Sequence, residues 1–313
     1  MPAFRQASRL ISDMEIMEDK TFKSGFAALI GAPNVGKSTL LNKMLGEKLA
    51  IVSPKPQTTR NRILGVYHGE NFQIAFMDTP GIHKTKTVLH KSMVASAMET
   101  VSEVDILVFV IDATYPFDEE VEAILKQQKK REISALLAIN KIDRTIPENI
   151  LPVIEHYSES FPFKAIVPVS ALTGDGVDRL IDELKKCLLP GPEYFPKDMT
   201  TDQPDEFLVA EIIREKIYLN TKREIPYSSA VTIIFMKENT QKKLLSIHGK
   251  IHVETDSQKG IIIGKRGAMI KKIGEAARAE LEKLYVIHIY LELHSKVDKN
   301  WSRDTKALKK LGY

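Results

Sequence analysis

An eight-residue run after a short apolar segment constrains this chain more than any other feature. Residues Gly31-Ala32-Pro33-Asn34-Val35-Gly36-Lys37-Ser38 match the pattern G-x-x-x-x-G-K-[ST] directly after the apolar residues 26–30. The glycines let the backbone curl so that its N–H groups point at phosphate oxygens, and the following helix adds the positive end of its dipole. We expect Lys37 to reach the β- and γ-phosphates and Ser38 to bind the Mg²⁺ ion that bridges them. The run therefore predicts a nucleoside triphosphate site in a strand-loop-helix unit.

Two later motifs indicate which base is bound. Asn140-Lys141-Ile142-Asp143 and Ser170-Ala171-Leu172 each follow a strand-like segment. The Asp143 carboxylate can accept hydrogen bonds from the ring N–H and the amino group of guanine, whereas adenine has no such pair of donors. A carboxylate left unpaired against adenine would cost about 1–3 kcal/mol. With the Lys141 stem over the base and the Ala171 amide at its carbonyl oxygen, the motifs predict GTP and GDP as the bound nucleotides.

Two further segments are expected to respond to the γ-phosphate. In Asp78-Thr79-Pro80-Gly81, the Asp78 carboxylate should hold Mg²⁺ through water, and the Gly81 amide should face the γ-phosphate. A threonine of the polar loop 57–60 can coordinate Mg²⁺ only while that phosphate is present. The pattern favours Thr59 over Thr58 but leaves both open. The predicted Mg²⁺ ligands are Ser38, Thr59 and Asp78, and the predicted catalytic residues are Lys37, Asn34, Thr59 and Gly81.

The alternation of apolar runs with helical patterns predicts an α/β fold with a doubly wound, mostly parallel sheet. The strand-like segments are residues 26–30, 63–67, 72–77, 106–112, 136–140 and 165–169. We divide the 313-residue chain into an N-terminal tail (1–21), a nucleotide-binding domain (22–189), a proline-rich linker (190–204) and a second domain (205–313).

The second domain is basic. Residues 1–204 hold 24 Lys and Arg against 27 Asp and Glu, whereas residues 205–313 hold 21 against 14. Excess lysine can simply keep a domain soluble, but it also attracts a polyanion. The predicted element order α-β-β-α-α-β and the loop Gly264-Lys265-Arg266-Gly267 are typical of a small α+β KH domain of type II, in which two glycines admit an RNA backbone. The predicted RNA-binding residues are Lys259, Ile262, Ile263, Gly264, Lys265, Arg266, Gly267, Ile270, Lys271 and Lys272.

Other features exclude several classes of protein. The single cysteine, Cys187, can form neither an internal disulfide nor a multi-cysteine zinc site. His248, His252, His288 and His294 lack metal-ligand spacing, so we interpret them as strand or surface residues, and Trp301 as a packing anchor for the tail. No apolar run approaches the roughly 20 residues of a membrane-spanning helix. We therefore expect a cytoplasmic protein.

With four nucleotide motifs in this order, residues 26–189 resemble the translation-factor-like small GTPases. Asn34 and the Thr58-Thr59-Arg60 segment resemble the branch that contains the Era family and the tRNA-modification GTPases. One P-loop, a proline-rich joint and a KH domain ending in Leu311-Gly312-Tyr313 are similar to the Era family over nearly the whole chain. The resemblance implies GTP hydrolysis, binding to the 3′ end of 16S ribosomal RNA and a role in 30S subunit assembly, with a link to cell growth. It also allows peripheral contact with the cytoplasmic face of the inner membrane, and we expect a monomer.

One residue departs from the pattern of many regulatory GTPases. Ile82 stands where those proteins place a water-orienting glutamine, so intrinsic hydrolysis should be slow. In the resembled branch Asn34 helps to hold a K⁺ ion beside the phosphates; alternatively, Asn34 simply caps the loop. Two rival functions stay open at this point: a membrane-associated signalling GTPase without an obligatory RNA partner, and a nucleotide kinase, which is disfavoured because no acceptor-substrate site is visible beside the guanine motif.

Overall fold

The computed structural model describes residues 21–53, 55, 58–60, 62–80, 100, 103–128 and 133–311. The predicted sites at Gly81 and Ile82 lie outside these residues. Among the described residues no helix is both long and apolar enough to cross a membrane.

The first part of the chain forms a seven-stranded sheet. Its strands are Lys23–Ile30 (β1), Ile63–Gly69 (β2), Phe72–Asp78 (β3), Ile106–Asp112 (β4), Ser134–Asn140 (β5), Ala165–Pro168 (β6) and Leu189–Pro190 (β7). The spatial order is β2-β3-β1-β4-β5-β6, with β7 beside β1. Only the β2–β3 and β1–β7 pairs are antiparallel. The predicted α/β class and mostly parallel sheet are confirmed.

Helices cover both faces of this sheet because the strands are apolar at successive positions, which point to opposite faces. The helices are Lys37–Leu45 (α1), Glu119–Gln128 (α2), Pro147–Ser160 (α3) and Val177–Cys187 (α4). One buried cluster joins Leu29 and Phe76 to α1 and α4. The other joins Ile30 and Phe109 to α2 and α3. The carboxyl ends of the parallel strands therefore meet at one edge, where ligands bind in such sheets.

The second part is a smaller α+β unit. Its elements are Asp205–Asn220 (α5), Ile225–Ser228 (α6), Ala230–Asn239 (β8), Leu244–Val253 (β9), Asp256–Ile263 (α7), Ala268–Tyr285 (α8), His288–Val297 (β10) and Thr305–Lys310 (α9). The sheet order is β10-β9-β8, with β9 parallel to β10 and antiparallel to β8. The predicted order α-β-β-α-α-β is found, with the short α6 in addition.

The last strand differs from its predicted bounds. The apolar pattern of residues 286–293 predicts a final strand there, but the strand begins at His288 and continues to Val297. Val286 has φ 52° and ψ 36°, the left-handed conformation that ends α8. The sequence shows an apolar residue at this position, whereas its backbone closes the preceding helix.

The tail packs against the second sheet. Trp301 is 1% exposed and forms a cluster with Ala230 and Leu308. Its Nε1 donates a 3.2 Å hydrogen bond to the Ser228 carbonyl. The prediction that Trp301 anchors the tail is confirmed.

The proline-rich segment lies along the first domain. The Gln73 side chain donates to the Phe195 carbonyl at 2.8 Å and accepts from the Tyr194 amide at 3.0 Å. The Phe26 ring lies 5.4 Å from the Tyr194 ring, centroid to centroid. These contacts attach the connection to the amino-terminal ends of β3 and β1, so the second domain is held close to the first.

A charged cluster joins the two domains. Lys48, in the loop after α1, donates to Glu215 of α5 at 2.8 Å and also to Glu280 of α8. Lys216 donates to the same two carboxylates. Two lysines and two glutamates thus neutralise one another across the interface, which limits the desolvation cost of burying them.

Candidate functional site

The loop between β1 and α1 requires glycine at two positions because other parts of the chain approach it closely. A Cβ atom at Gly31 would lie 2.2 Å from the Val110 carbonyl oxygen. A Cβ atom at Gly36 would lie 2.2 Å from Asn140 Nδ2, and the φ of Gly36 is 101°, a value that side chains disfavour. The close approach of Val110 and Asn140 at these two glycines places the loop against the strand ends. Its amides are predicted to surround the phosphates there.

Lys37 lies inside this cradle. It is 6% exposed, and its Nζ donates to the Gly31 and Ala32 carbonyls at 2.9 Å each. Burial lowers the pKa of Lys37 to about 8, although the nearby Asp78 carboxylate favours the charged form. A buried cation with mainly carbonyl partners is a strong site for phosphate oxygens.

Three oxygen-bearing side chains meet at the open side of the cradle. The Ser38 hydroxyl donates to Asp78 Oδ2 at 2.7 Å, Thr59 Oγ1 donates to the same oxygen at 3.0 Å, and the two hydroxyls are 2.8 Å apart. Burial raises the pKa of Asp78 above its ordinary value. Its other oxygen, Oδ1, is buried and has no hydrogen-bond partner among the described residues. These three ligands fit Mg²⁺, which prefers oxygen and keeps several of its own waters.

The two candidate threonines lie differently. Thr59 reaches Asp78 and Ser38, as described above. Thr58 also lines the pocket, but its backbone carbonyl accepts a hydrogen bond from Arg214 Nη2 of the second domain. The geometry supports Thr59 as the Mg²⁺ ligand.

Asn140 connects the loops at the base-binding end. Its Nδ2 donates to the Val35 carbonyl at 2.7 Å, and its Oδ1 accepts from the Ala171 amide at 2.9 Å. The Ser170 hydroxyl donates to Asp143 Oδ1 at 2.6 Å. These bonds fix the Asp143 carboxylate and the Ala171 loop relative to the phosphate loop, as a site for one particular base requires.

Asp112, at the end of β4, was not singled out from the sequence. Its Oδ2 accepts from Lys141 Nζ at 2.5 Å, and the same Nζ donates to the Asn34 carbonyl at 2.6 Å. Although burial alone would favour the neutral acid, hydrogen bonds from Lys141 and Thr114 lower the pKa of Asp112. The hydrogen bonds to Asp112 and Asn34 hold the aliphatic part of the Lys141 side chain across the base-binding end. The sequence signal that could have identified Asp112 is a carboxylate as the last residue of an apolar, strand-like segment.

A cavity of about 470 Å³ brings most of these groups together, whereas Asp78 and Asp112 lie outside its lining. Among the predicted residues, the cavity is lined by Pro33, Asn34, Gly36, Lys37, Ser38, Thr58, Thr59, Asn140, Lys141, Asp143, Ala171 and Leu172. Thr39, Ile51, Val52, Ser53 and Arg144 also line it and were not predicted. Thr79 instead donates to the Leu29 carbonyl at 2.7 Å, so it supports the strand end behind the cavity.

The second domain has its own groove beside the Gly264–Gly267 loop. The loop joins α7 to α8, and a groove of about 360 Å³ runs between α8 and the edge strand β10. Ile270 and Lys271 line it, as predicted; Gly274, Glu275, Arg278 and residues 291–293 line it as well. Ile262, which we predicted under the bases, is fully buried in the domain core. Its side chain is therefore unavailable to a base, because α7 turns that face towards the sheet.

Comparison with known proteins supports both halves. Residues 26–141 match a family described as 50S ribosome-binding GTPase, and residues 224–302 match the KH domain family. The chain is 50% identical to the GTPase Era of Geobacter metallireducens over 297 residues, covering 95% of this chain and 100% of that protein. It is 50% identical to the GTPase Era of Syntrophus aciditrophicus, covering 93% of this chain and 95% of that one.

Solved structures agree over the same length. An Era variant from Aquifex aeolicus bound to GDP and AlF4⁻ matches with a TM-score of 0.89 and 43% identity, covering 93% of this chain and 99% of that chain. A structure of Era in complex with MgGDPNP and nucleotides 1506–1542 of 16S ribosomal RNA matches with the same score, identity and coverage.

Proposed function

This chain belongs to the GTPase Era family, and on that premise we propose that it binds the 3′ end of 16S ribosomal RNA and acts in assembly of the 30S subunit. The chain is a GTPase that carries a C-terminal KH domain. The proposal is carried by one observation: a chain that aligns with 99% of an RNA-bound relative contains both the Lys37 cradle and the basic loop at Lys265 and Arg266.

In the nucleotide domain, each side chain has a defined task. Asp143 accepts from the two donors on the guanine edge, and Lys37 binds the β- and γ-phosphates. Ser38, Thr59 and Asp78 would hold Mg²⁺, which would neutralise charge on the β- and γ-phosphates while the γ-phosphoryl group passes from GDP to water. Thr59 can do so fully only with GTP, so its position reports the γ-phosphate.

Hydrolysis further depends on K⁺ held at Asn34. Asn34 lies at the mouth of the cavity with φ 64°, and its carbonyl is occupied by Lys141. Ile82 has no group that orients water, so an additional cation beside the phosphates offsets the charge that develops there. Replacing K⁺ by Na⁺ at equal ionic strength is expected to slow turnover. An unchanged rate would exclude this role and leave Asn34 as a loop cap.

The KH groove takes single-stranded RNA. Lys265 and Arg266 are exposed at the start of α8, where the loop amides and the helix dipole also favour phosphate. A G-x-x-G loop clamps about four nucleotides. The RNA in the related complex, nucleotides 1506–1542, is much longer than the four nucleotides of such a clamp.

Nucleotide state and RNA binding are coupled through Thr59 and its neighbours. The Arg60 guanidinium donates to the Ser229 carbonyl at 2.8 Å and to the Pro226 and Tyr227 carbonyls at 3.0 Å each, all in the second domain. Movement of Thr59 when the γ-phosphate leaves therefore pulls on the segment that enters β8. By reciprocity, bound RNA changes GTP affinity by the same factor.

The protein acts as a cytoplasmic monomer. Peripheral membrane contact would follow from its basic second domain, and a link to cell growth would follow from its dependence on GTP. A signalling GTPase without an RNA partner is the alternative. The test is binding of a synthetic RNA of nucleotides 1506–1542 to the GDPNP-loaded protein across a salt series. Tight binding that weakens linearly in log salt supports the proposal. Equal affinity for a shuffled RNA of the same composition would exclude the assigned site.

A further inference from the structure

The face of the second sheet that points away from α5, α7 and α8 contributes Glu292 to the groove, and its other residues lie outside the groove. Alternation along the three strands places residues 245, 247, 249 and 251 of β9 inward and residues 246, 248, 250 and 252 outward. The register carries this pattern to the neighbouring strands, with Phe235 and Glu292 both opposite His248. The outward face is therefore defined across the whole sheet.

A row of three rings crosses this face. Phe235 on β8 lies 5.2 Å from His248 on β9, and His248 lies 6.2 Å from Tyr290 on β10, between ring centroids. Phe235 is 44% exposed and Tyr290 is 53% exposed. Cross-strand aromatic pairs stabilise sheets, but that role does not require large aromatic rings to remain in water on all three strands.

The charges around the rings suit a polyanion. The outward positions include Lys237, Lys250 and Lys296, one on each strand. Lys296 is paired with Asp298 at 2.6 Å, so Lys237 and Lys250 carry most of the positive charge available on this face. The acid at an outward position, Glu292, lies 2.8 Å from His294 Nε2 and 3.6 Å from His248 Nε2. Rings that lie between lysines are the arrangement used to bind single-stranded nucleic acid, because bases stack on the rings while lysines meet phosphates.

The row begins where the groove ends. Residues 291–293 of the edge strand β10 line the groove, and Tyr290 lies on the same strand with its side chain on the outward face. At the opposite end of this face, Trp301 and Leu308 of the tail cover Ala230. A strand that leaves the groove over the edge of β10 thus meets an uncovered path along Tyr290, His248 and Phe235.

We propose that this outward face is a second RNA site, in which Phe235 and Tyr290 stack on unpaired bases of a strand that leaves the G-x-x-G groove over β10. The inference rests on the proposed RNA-binding function. It accounts for how an RNA longer than the groove holds further contact with the same domain.

The test compares full-length, GDPNP-loaded proteins for affinity to the RNA of nucleotides 1506–1542. The variant Phe235→Ala/Tyr290→Ala is expected to bind at least about tenfold more weakly, since each stacked base contributes a substantial share of affinity. The matched control is Tyr115→Ala/Phe117→Ala, which removes two exposed rings from the nucleotide domain and should bind as the unaltered protein does. Phe235→Tyr keeps the ring and should also retain affinity.

Further measurements separate the outcomes. The Phe235/Tyr290 variant should have unchanged thermal unfolding and unchanged GTP affinity. If the variant is unstable, crosslinking of 4-thiouridine-substituted RNA to the unaltered protein tests the inference instead. We expect those crosslinks at β8 and β10. Crosslinks confined to α7 and α8, or equal affinity of the variant, would overturn the inference while leaving the proposed function intact. Failure of the unaltered protein to bind this RNA would instead defeat the proposed function. A concentration-dependent dimer that the variant abolishes would assign the face to a second copy and overturn the inference.

Discussion

The Thr59 hydroxyl lies 3.0 Å from the Asp78 carboxylate, with its proton directed at Oδ2. The residues on either side of Thr59 are bound to the other domain: the Thr58 carbonyl by Arg214, and Arg60 to the carbonyls before β8. A residue at the predicted Mg²⁺ position is therefore flanked by two interdomain contacts. In the proposed mechanism, these two contacts transmit a change at the γ-phosphate to the second domain.

Thr59→Ala should weaken binding of Mg²⁺·GDPNP by about tenfold or more, because one ligand of the ion and one partner of Asp78 are lost. GDP affinity should change by less than about twofold, since the γ-phosphate that recruits Thr59 is absent. Thr58→Ala is the matched control and should leave both affinities near the original values. Fluorescent-nucleotide titration measures them. A larger effect at Thr58 would reverse the assignment.

Asp143→Asn should weaken GTP binding by about a hundredfold or more, because an amide offers one acceptor and a donor where guanine presents two donors. Affinity for xanthosine triphosphate, whose ring carries a carbonyl in place of the amino group, should rise. Glu148→Gln, which alters an exposed side chain in the first turn of α3 outside the cavity, is the control. Competition binding with GTP, ATP and xanthosine triphosphate checks the result, and an unaltered preference for GTP would rule out Asp143 as the residue that recognises the base.

Gly36→Ala should abolish tight nucleotide binding and lower thermal stability, because its methyl group would lie 2.2 Å from Asn140 Nδ2. Asn140 would have to release either Val35 or Ala171. Gly260→Ala is the matched control, because Gly260 lies within α7 and its added methyl group meets nothing within 4 Å. That substitution should be neutral or slightly stabilising. Calorimetric unfolding with and without GDP distinguishes the two sites.

Removing the two charges of the G-x-x-G loop with Lys265→Ala/Arg266→Ala should reduce RNA affinity and make its salt dependence shallower by about 1.4 in the log–log slope, at roughly 0.7 per phosphate contact. GTP affinity without RNA should not change. Lys164→Ala/Lys197→Ala removes two exposed lysines that lie outside the second domain and serves as the control. If the log–log salt slope of the loop variant equalled that of the control variant, the loop would contact no phosphate.

Much of this structure follows from local sequence patterns. The phosphate loop and the guanine motifs were predictable because each is a short motif at the end of an apolar strand. The strand order brings those ends together. The KH element order was predictable from periodicity in the same way. Thr59 was preferred over Thr58 on pattern alone, and the position of Asp78 supports that preference.

The features that were not predictable depend on contacts between distant residues. Arg60 and Arg214 look like ordinary charged residues in the sequence, yet they cross the interface between the domains and are 5% and 1% exposed. Asp112 acquires its role only when β4 and β5 lie side by side, and Ile262 is buried because of the direction in which α7 meets the sheet. Tertiary packing decides such cases.

The central claim is that nucleotide state controls RNA binding through Arg60. The most direct measurement is the affinity for the RNA of nucleotides 1506–1542 in the GDPNP-bound and GDP-bound states, for the unaltered protein, Arg60→Met and the control Arg62→Met. We predict a ratio of about fivefold or more in the unaltered protein and in Arg62→Met, falling towards one in Arg60→Met while GDPNP affinity without RNA is retained. Equal RNA affinity in the two nucleotide states of the unaltered protein, or an undiminished ratio in Arg60→Met, would contradict the account.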